Sequence, residues 1–419
     1  MNLPMPGETG SALNHGGSGV SPGRPLYDAR MVGWLSVGQL ITWGSVFYAF
    51  ALLMEPVEQS LGLSRAQSSL AFSLGLLAEG VMAWPVGRWI DAGHERAVMT
   101  GGSLVMALGL FAHGFVQDAA GFYAVWIVLG GALAATLYAP AFAIVTRRFP
   151  LGFRRAIITL TFLGGLASTV FIPLIAWLIG AIGWRHALWV LAAIHLFICV
   201  PLHAIVLRGA PKPSALRETG AAASTTTLPA SHFLRSKPFL LIGVFAVLLM
   251  AVTAALPPHM VSLLRGSGLP EAWAIAVPAS IGIVQVFGRA LLYFFEHRFD
   301  LHLANRLIPC LIPLGLIALL AGSGHAGAAL VFVALYGMGN GMLTIVKGTA
   351  IAQYVSREHV ATLNGALGLP MAIARAIAPL MLGVLWTPAS GYTTGLWVLL
   401  VASVVAVLAL VGAQRARVG

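Results

Sequence analysis

Charge is scarce in this sequence. Asp, Glu, Lys and Arg make up 9% of its 419 residues, where a soluble domain carries about 25%. Acids are the scarcer sign, 13 against 24 Lys and Arg, for a net charge of +11. Cysteine is nearly absent. Cys199 and Cys310 both lie in apolar segments, which excludes a disulfide framework and a cysteine metal site. Also missing are a P-loop and a nucleophile elbow, so neither ATP-driven work nor an enzyme is expected. No metal or cofactor is called for. Period-two alternation is lacking in the apolar runs, which excludes a membrane β-barrel.

What is present is hydrophobicity, 58% of residues, gathered in runs of about 20, the length of a helix across a ~30 Å hydrocarbon core. The reading is an all-α polytopic membrane protein with the lipid bilayer as its solvent. Twelve transmembrane helices are expected over 31–54, 66–90, 97–117, 121–146, 156–180, 185–207, 238–264, 271–295, 304–323, 327–353, 360–386 and 391–412. They divide into an N-terminal six-helix bundle (31–207), a polar linker (208–237) and a C-terminal six-helix bundle (238–412). The tails 1–30 and 413–419 lie outside both, the first being rich in Gly, Pro and Ser. The net positive charge does not indicate nucleic acid, because its position follows the loops. Eighteen of the 24 basic residues fall in one set of alternate loops and the tails, whereas only Arg65, Arg185 and Arg265 fall in the other. By the positive-inside rule both termini and the linker are cytoplasmic, in an inner (plasma) membrane.

The halves echo each other. TLYAPAFAIVTRRF from Thr136 is answered by TIVKGTAIAQYV from Thr344, and internal repeats are common in carriers. After the second span comes Gly87, Arg88, Asp91, Gly93 and Arg96. Gly87 suits a close helix contact, and Asp91 can cap or pair with basic residues. This pattern resembles the signature of the major facilitator superfamily, with His94 and Glu95 departing from its basic run. The stretch LMEPVEQSLGLSRAQSSLAFSLGLL, the Gly183-Trp184-Arg185 corner and a basic residue in the eighth span are similar to the monocarboxylate and oxalate–formate carriers. The resemblance implies two pseudo-symmetric bundles, a monomer working by alternating access, and secondary transport of a small organic anion by proton symport or exchange. It also implies that the Gly87–Arg96 cluster is a cytoplasmic gate.

Four charges interrupt the apolar runs: Glu79, Arg289, Lys347 and Arg375. Each costs roughly 2.5–3.5 kcal/mol at a bilayer centre, so each is expected to face a cavity or a partner. The resemblance makes Arg289 the contact for a substrate carboxylate. A guanidinium suits it because two parallel hydrogen bonds match its fork. Gln285 stands one turn before Arg289, where many such carriers have an acid. Lys347 should lie at a depth similar to Arg289 and add a second positive charge. Glu79 and Arg375 should be level to within roughly 3 Å at mid-depth. They are expected either as an ion pair across the two bundles, or as a proton site and a substrate contact respectively. Tyr48, Tyr138, His259, Tyr336 and Asn340 are the uncharged candidates for the cavity wall. Tyr336, Asn340 and Lys347 share one helical face. A multidrug, siderophore or other metabolite efflux carrier, and a ligand sensor without flux, are the competing readings. The first would have a larger, more aromatic cavity.

Overall fold

The computed structural model describes residues 28–149, 152–209, 230–295, 301–356 and 360–416. Nearly all of the predicted N-terminal tail, most of the linker and the end of the C-terminal tail lie outside the described residues.

The apolar runs fold as helices because in lipid each segment must satisfy its own backbone N–H and C=O groups. Capping residues mark where they start. Asp28 accepts from the N–H groups of Arg30 and Met31. Ser64 and Gln67 form a reciprocal capping box. Asp118 accepts from Gly121, and Ser236 accepts from Phe239. The rods are α1 (Ala29–Leu61), α2 (Arg65–Asp91), α3 (Glu95–His113) and α4 (Ala119–Arg148). Next come α5 over 153–182 and α6 over 184–206. The second half holds α7 (Lys237–Gly266), α8 (Glu271–Phe295), α9 (Leu301–Ala321), α10 (Ala326–Tyr354), α11 (Val360–Val384) and α12 (Thr393–Arg415). No β-strand occurs among the described residues.

Nine helical stretches among the described residues are long and apolar enough to cross a bilayer. One of them, Arg155–Val206, reverses at Gly183, where φ is 77°. A side chain there would be strained in the left-handed region, so glycine makes the corner between α5 and α6. The first rod runs seven residues past the predicted 54, to Leu61. Its extra turns carry Glu55 and Glu58, which find basic partners described below.

The pairing of rods repeats between the halves. In the first half α2 lies against α4, α1 against α5, and α3 against α6. In the second half α8 lies against α10, α7 against α11, and α9 against α12. The halves then meet through α2 with α11 and α5 with α8, an exchange that a two-fold pseudo-symmetry demands, and through α1 with α7. Small residues let the rods approach. A Cβ on Gly130 of α4 would run into the backbone carbonyl of Gly75 on α2. Gly130→Ala is expected to cost about 1–3 kcal/mol through overpacking, seen as a lower melting temperature of the purified protein in detergent.

A groove of about 960 Å³ lies on α2, α3 and α4, lined by residues such as Leu77, Val81, Trp89 and Ile127. These side chains are exposed and apolar, so lipid tails suit the groove and a charged cargo does not. Arg289 and the Glu79–Arg375 pair lie between the halves instead.

Candidate functional site

The terminal face carries the start of α1 and the end of α12, and the distal face carries the α1–α2 and α11–α12 connections.

At the centre, α1 loosens into a π-helical stretch, Trp43–Tyr48, of a kind that is frequent at functional sites. It is braced by a hydrogen bond of 2.7 Å between Ser45 Oγ and His195 Nε2. Trp43 rests against Tyr138, with ring centroids 5.2 Å apart. Tyr48 faces a cavity that also touches Gln285, Tyr336 and Asn340. The cavity measures about 20 Å³, room for about one water. In this conformation the centre is collapsed.

Arg289 stands one helical turn beyond Gln285, on the terminal side of that centre. Its Nη1 donates to the Thr161 carbonyl at 2.6 Å, across the α5–α8 seam, and its Nε donates to the Gly341 carbonyl at 3.4 Å. Tyr48 and Tyr138 both lie within its electrostatic reach. The partners that fix it are neutral oxygens, so its charge has no carboxylate against it among the described residues.

Glu79 and Arg375 meet across the α2–α11 seam, with Oε1 and Nη1 2.7 Å apart. Both are mostly buried, and Phe47 lies beside the guanidinium with its ring centroid at 5.9 Å. The other oxygen, Oε2 of Glu79, is buried with no hydrogen-bond partner among the described residues.

Some of the other predicted residues are placed differently from expectation. Tyr336 and Asn340 reach the centre, but Lys347 does not. It lines a separate pocket between α7, α10 and α11. His259 is absent from the cavity wall. It is buried on the distal side, where its Nε2 meets the Pro379 carbonyl at 2.9 Å and its Nδ1 meets the Tyr392 hydroxyl at 3.0 Å. Gly87 makes no close helix contact, since a Cβ there would meet open space. Asp91 is exposed at the end of α2 and pairs with no basic side chain among the described residues. Arg88 lies over Trp84 at 4.9 Å. Gly93 makes the turn with φ 89°, and Arg96 Nε donates to the Ala204 carbonyl at 2.7 Å. The buried acid of this corner is Glu95, which departed from the family pattern. Its carboxylate is fully buried and pairs with Arg148 at 2.5 Å, tying α3 to the end of α4.

Sequence reasoning missed one further constellation. On the distal side Arg65 of α2 contacts Glu58 at 2.9 Å, the Tyr392 hydroxyl at 2.6 Å and Ser262 Oγ of α7. Arg265 of α7 reaches back to Glu55 of α1 at 2.6 Å and also holds Glu271. Ser262 and Tyr392 hydroxyls lie 2.5 Å apart. A carbonyl can only accept, so His259 carries its proton on Nε2, and the chain of donors runs from Arg65 through Ser262 and Tyr392 to His259. Burial pushes the Tyr392 hydroxyl up to about 12, with Arg65 opposing the rise. Tyr392 is therefore a neutral donor at physiological pH. The cluster joins the halves and seals the distal face. Its signal was available in the sequence: Glu55 and Glu58 stand three apart on a helix, shortly before Arg65, in a chain poor in acids.

Known proteins fit this architecture. The model of the Major Facilitator Superfamily matches residues 35–379. Monocarboxylate transporter 13 of Bos taurus is 28% identical over 359 residues, covering 80% of this chain and 78% of its own. Its counterpart in Rattus norvegicus is 27% identical over 355 residues, with the same coverage. Among solved structures, the nucleoside transporter NupG superposes with a TM-score of 0.70 at 16% identity, over 92% of this chain and 98% of its own. A bacterial homologue of the human lysosomal transporter Spinster, inward-facing and occupied, gives 0.70 at 16% identity, over 94% and 97%. The match over most of the chain, the repeated six-rod halves and the site on their seam lead to one conclusion: the chain belongs to the Major Facilitator Superfamily, and is a multi-pass membrane transporter, not an enzyme.

Proposed function

We propose that the protein is a secondary carrier of a small organic anion, a carboxylate, working by alternating access. The observation that carries this reading is Arg289. Neutral carbonyls orient its guanidinium and leave its charge for a ligand. A carboxylate matches that fork with two charge-assisted hydrogen bonds, and the hydroxyls of Tyr48 and Tyr138 are placed to add neutral ones. The bovine and rat relatives are named for monocarboxylates, which supports the same class. The distal cluster closes one end, so the halves would part at the terminal face, which the loop charges favour as cytoplasmic. Glu79 is the proposed proton site, with Arg375 as its gate partner.

A thermal-shift screen of carboxylates on the purified protein tests the cargo. At least one carboxylate is expected to stabilise the wild type by about 2–3 kcal/mol near 100 times its Kd. Arg289→Gln should abolish that shift without lowering the unliganded melting temperature by a comparable amount. If no carboxylate favours the wild type over Arg289→Gln, the reading fails.

A further inference from the structure

Lys347 and Arg289 do not share a chamber. The collapsed central cavity touches Pro257 and Met260 on α7, and Tyr336 and Asn340 on α10. The Lys347 pocket touches Ala246 and Met250 on α7, and Lys347 and Ile351 on α10. On both helices the two sets stand about eleven positions apart, or roughly 16 Å of axial rise. The Lys347 pocket therefore lies between the centre and the terminal face. Its volume is about 200 Å³, ten times that of the centre.

The chemistry of this pocket is lopsided. Phe245, Met250, Leu367 and Met371 give it an apolar wall, and Lys347 and Asn364 supply its polar side chains. No hydrogen bond or ion pair holds the Lys347 ammonium among the described residues. Burial is the main cost to its charge, and Arg375, whose own carboxylate partner is Glu79, adds a second cation's repulsion. A cation facing an apolar wall without an anion is costly, so an anion entering the pocket gains what the protein does not supply. Ligand sites for drug-sized molecules run to roughly 300–1,000 Å³, so this pocket admits something smaller.

We infer that the α7–α10–α11 pocket is a second anion subsite, a vestibule selective for a short-chain monocarboxylate. The carboxylate meets Lys347 and Asn364, and the alkyl tail meets Met250 and Met371. A second carboxylate on the occupant would be buried against methionine and leucine with no partner, which is the source of the selectivity. This inference rests on the anion-carrier reading. While the centre is collapsed the anion waits beside Lys347, and it passes to Arg289 when the halves part.

Equilibrium dialysis of radiolabelled butyrate against the purified full-length protein counts the sites. Two sites are expected in the wild type, one in Lys347→Gln and one in Arg289→Gln. Succinate should displace butyrate from the Arg289→Gln protein at least about tenfold less well than propionate does, a difference of about 1.4 kcal/mol. A single wild-type site that is lost in Arg289→Gln and kept in Lys347→Gln overturns the vestibule and leaves the carrier reading standing. A single site lost in Lys347→Gln and kept in Arg289→Gln overturns Arg289 as the cargo contact and supports the vestibule. No site in the wild type overturns both. Lys347→Met repeats the measurement if the glutamine variant fails to fold.

Discussion

Replacing Arg65 by alanine is expected to part the distal ends of the two halves. Arg65 is about one-tenth exposed, as is its partner Glu58. Among the described residues it alone contacts Glu58, Ser262 and Tyr392 together. Truncation leaves Glu58 buried beside Glu55 with its strongest cation gone. Removing one partner of a buried pair costs about 3–5 kcal/mol. The cost falls on the distal-closed state, because only there do α2, α7 and the Tyr392 connection converge. A bias of about 3 kcal/mol changes a two-state ratio more than a hundredfold. Spin labels at the exposed residues Gln59 and Ala389 read the outcome as a distance distribution. The expected result is a shift to longer distances in Arg65→Ala, with Arg65→Lys intermediate because an ammonium lacks the planar fork. An unchanged distribution would show that packing of α2 on α11 holds the face closed and that the cluster is ornamental.

The second large effect is expected at Glu79 and Arg375. Either single change, Glu79→Gln or Arg375→Gln, leaves the other group mostly buried at mid-depth without its partner. Each is expected to cost about 3 kcal/mol. The double variant should cost less than the two singles summed, giving a coupling of about 1–3 kcal/mol. Melting temperatures in detergent measure all four corners of the cycle. Transport supplies the functional arm. With Glu79 as the proton site, Glu79→Gln should lose uptake driven by a pH gradient in proteoliposomes and keep anion exchange. If uptake and its pH dependence survive Glu79→Gln, the proton role is dead, and Glu79 is a structural partner of Arg375.

This pair also marks what could be read from the sequence. A helix rises about 1.5 Å per residue, so counting from the ends of two runs gave the levels of Glu79 and Arg375. The same counting made Lys347 and Arg289 neighbours in depth, yet they occupy separate chambers. Tyr336, Asn340 and Lys347 do share a helical face, but eleven residues along that face separate its ends. The structure makes that length span two cavities. For His259, its helix was known and its rotation was not. Its partners Pro379 and Tyr392 are more than a hundred residues away, and nothing local encodes which neighbour a side chain meets. Glu95 shows the same limit. As an acid in a basic loop it was visible only as a departure from a motif, and its partner Arg148 lies 53 residues on.

The sequence by itself determined the solvent, the rods and the common level of Glu79 and Arg375. These depend on run length, charge scarcity and the fixed rise of a helix, all of which are local. Only the tertiary structure decided which charges are partnered. It joined Glu79 to Arg375, left Arg289 on neutral carbonyls, gave Lys347 a pocket of its own, and drew Arg65 and Arg265 into a seal. The reason is geometric. In a medium with no water to satisfy a polar group, its free energy is set by the atom within about 3 Å of it. That atom usually belongs to another rod, whose position comes from packing between helices far apart in the chain.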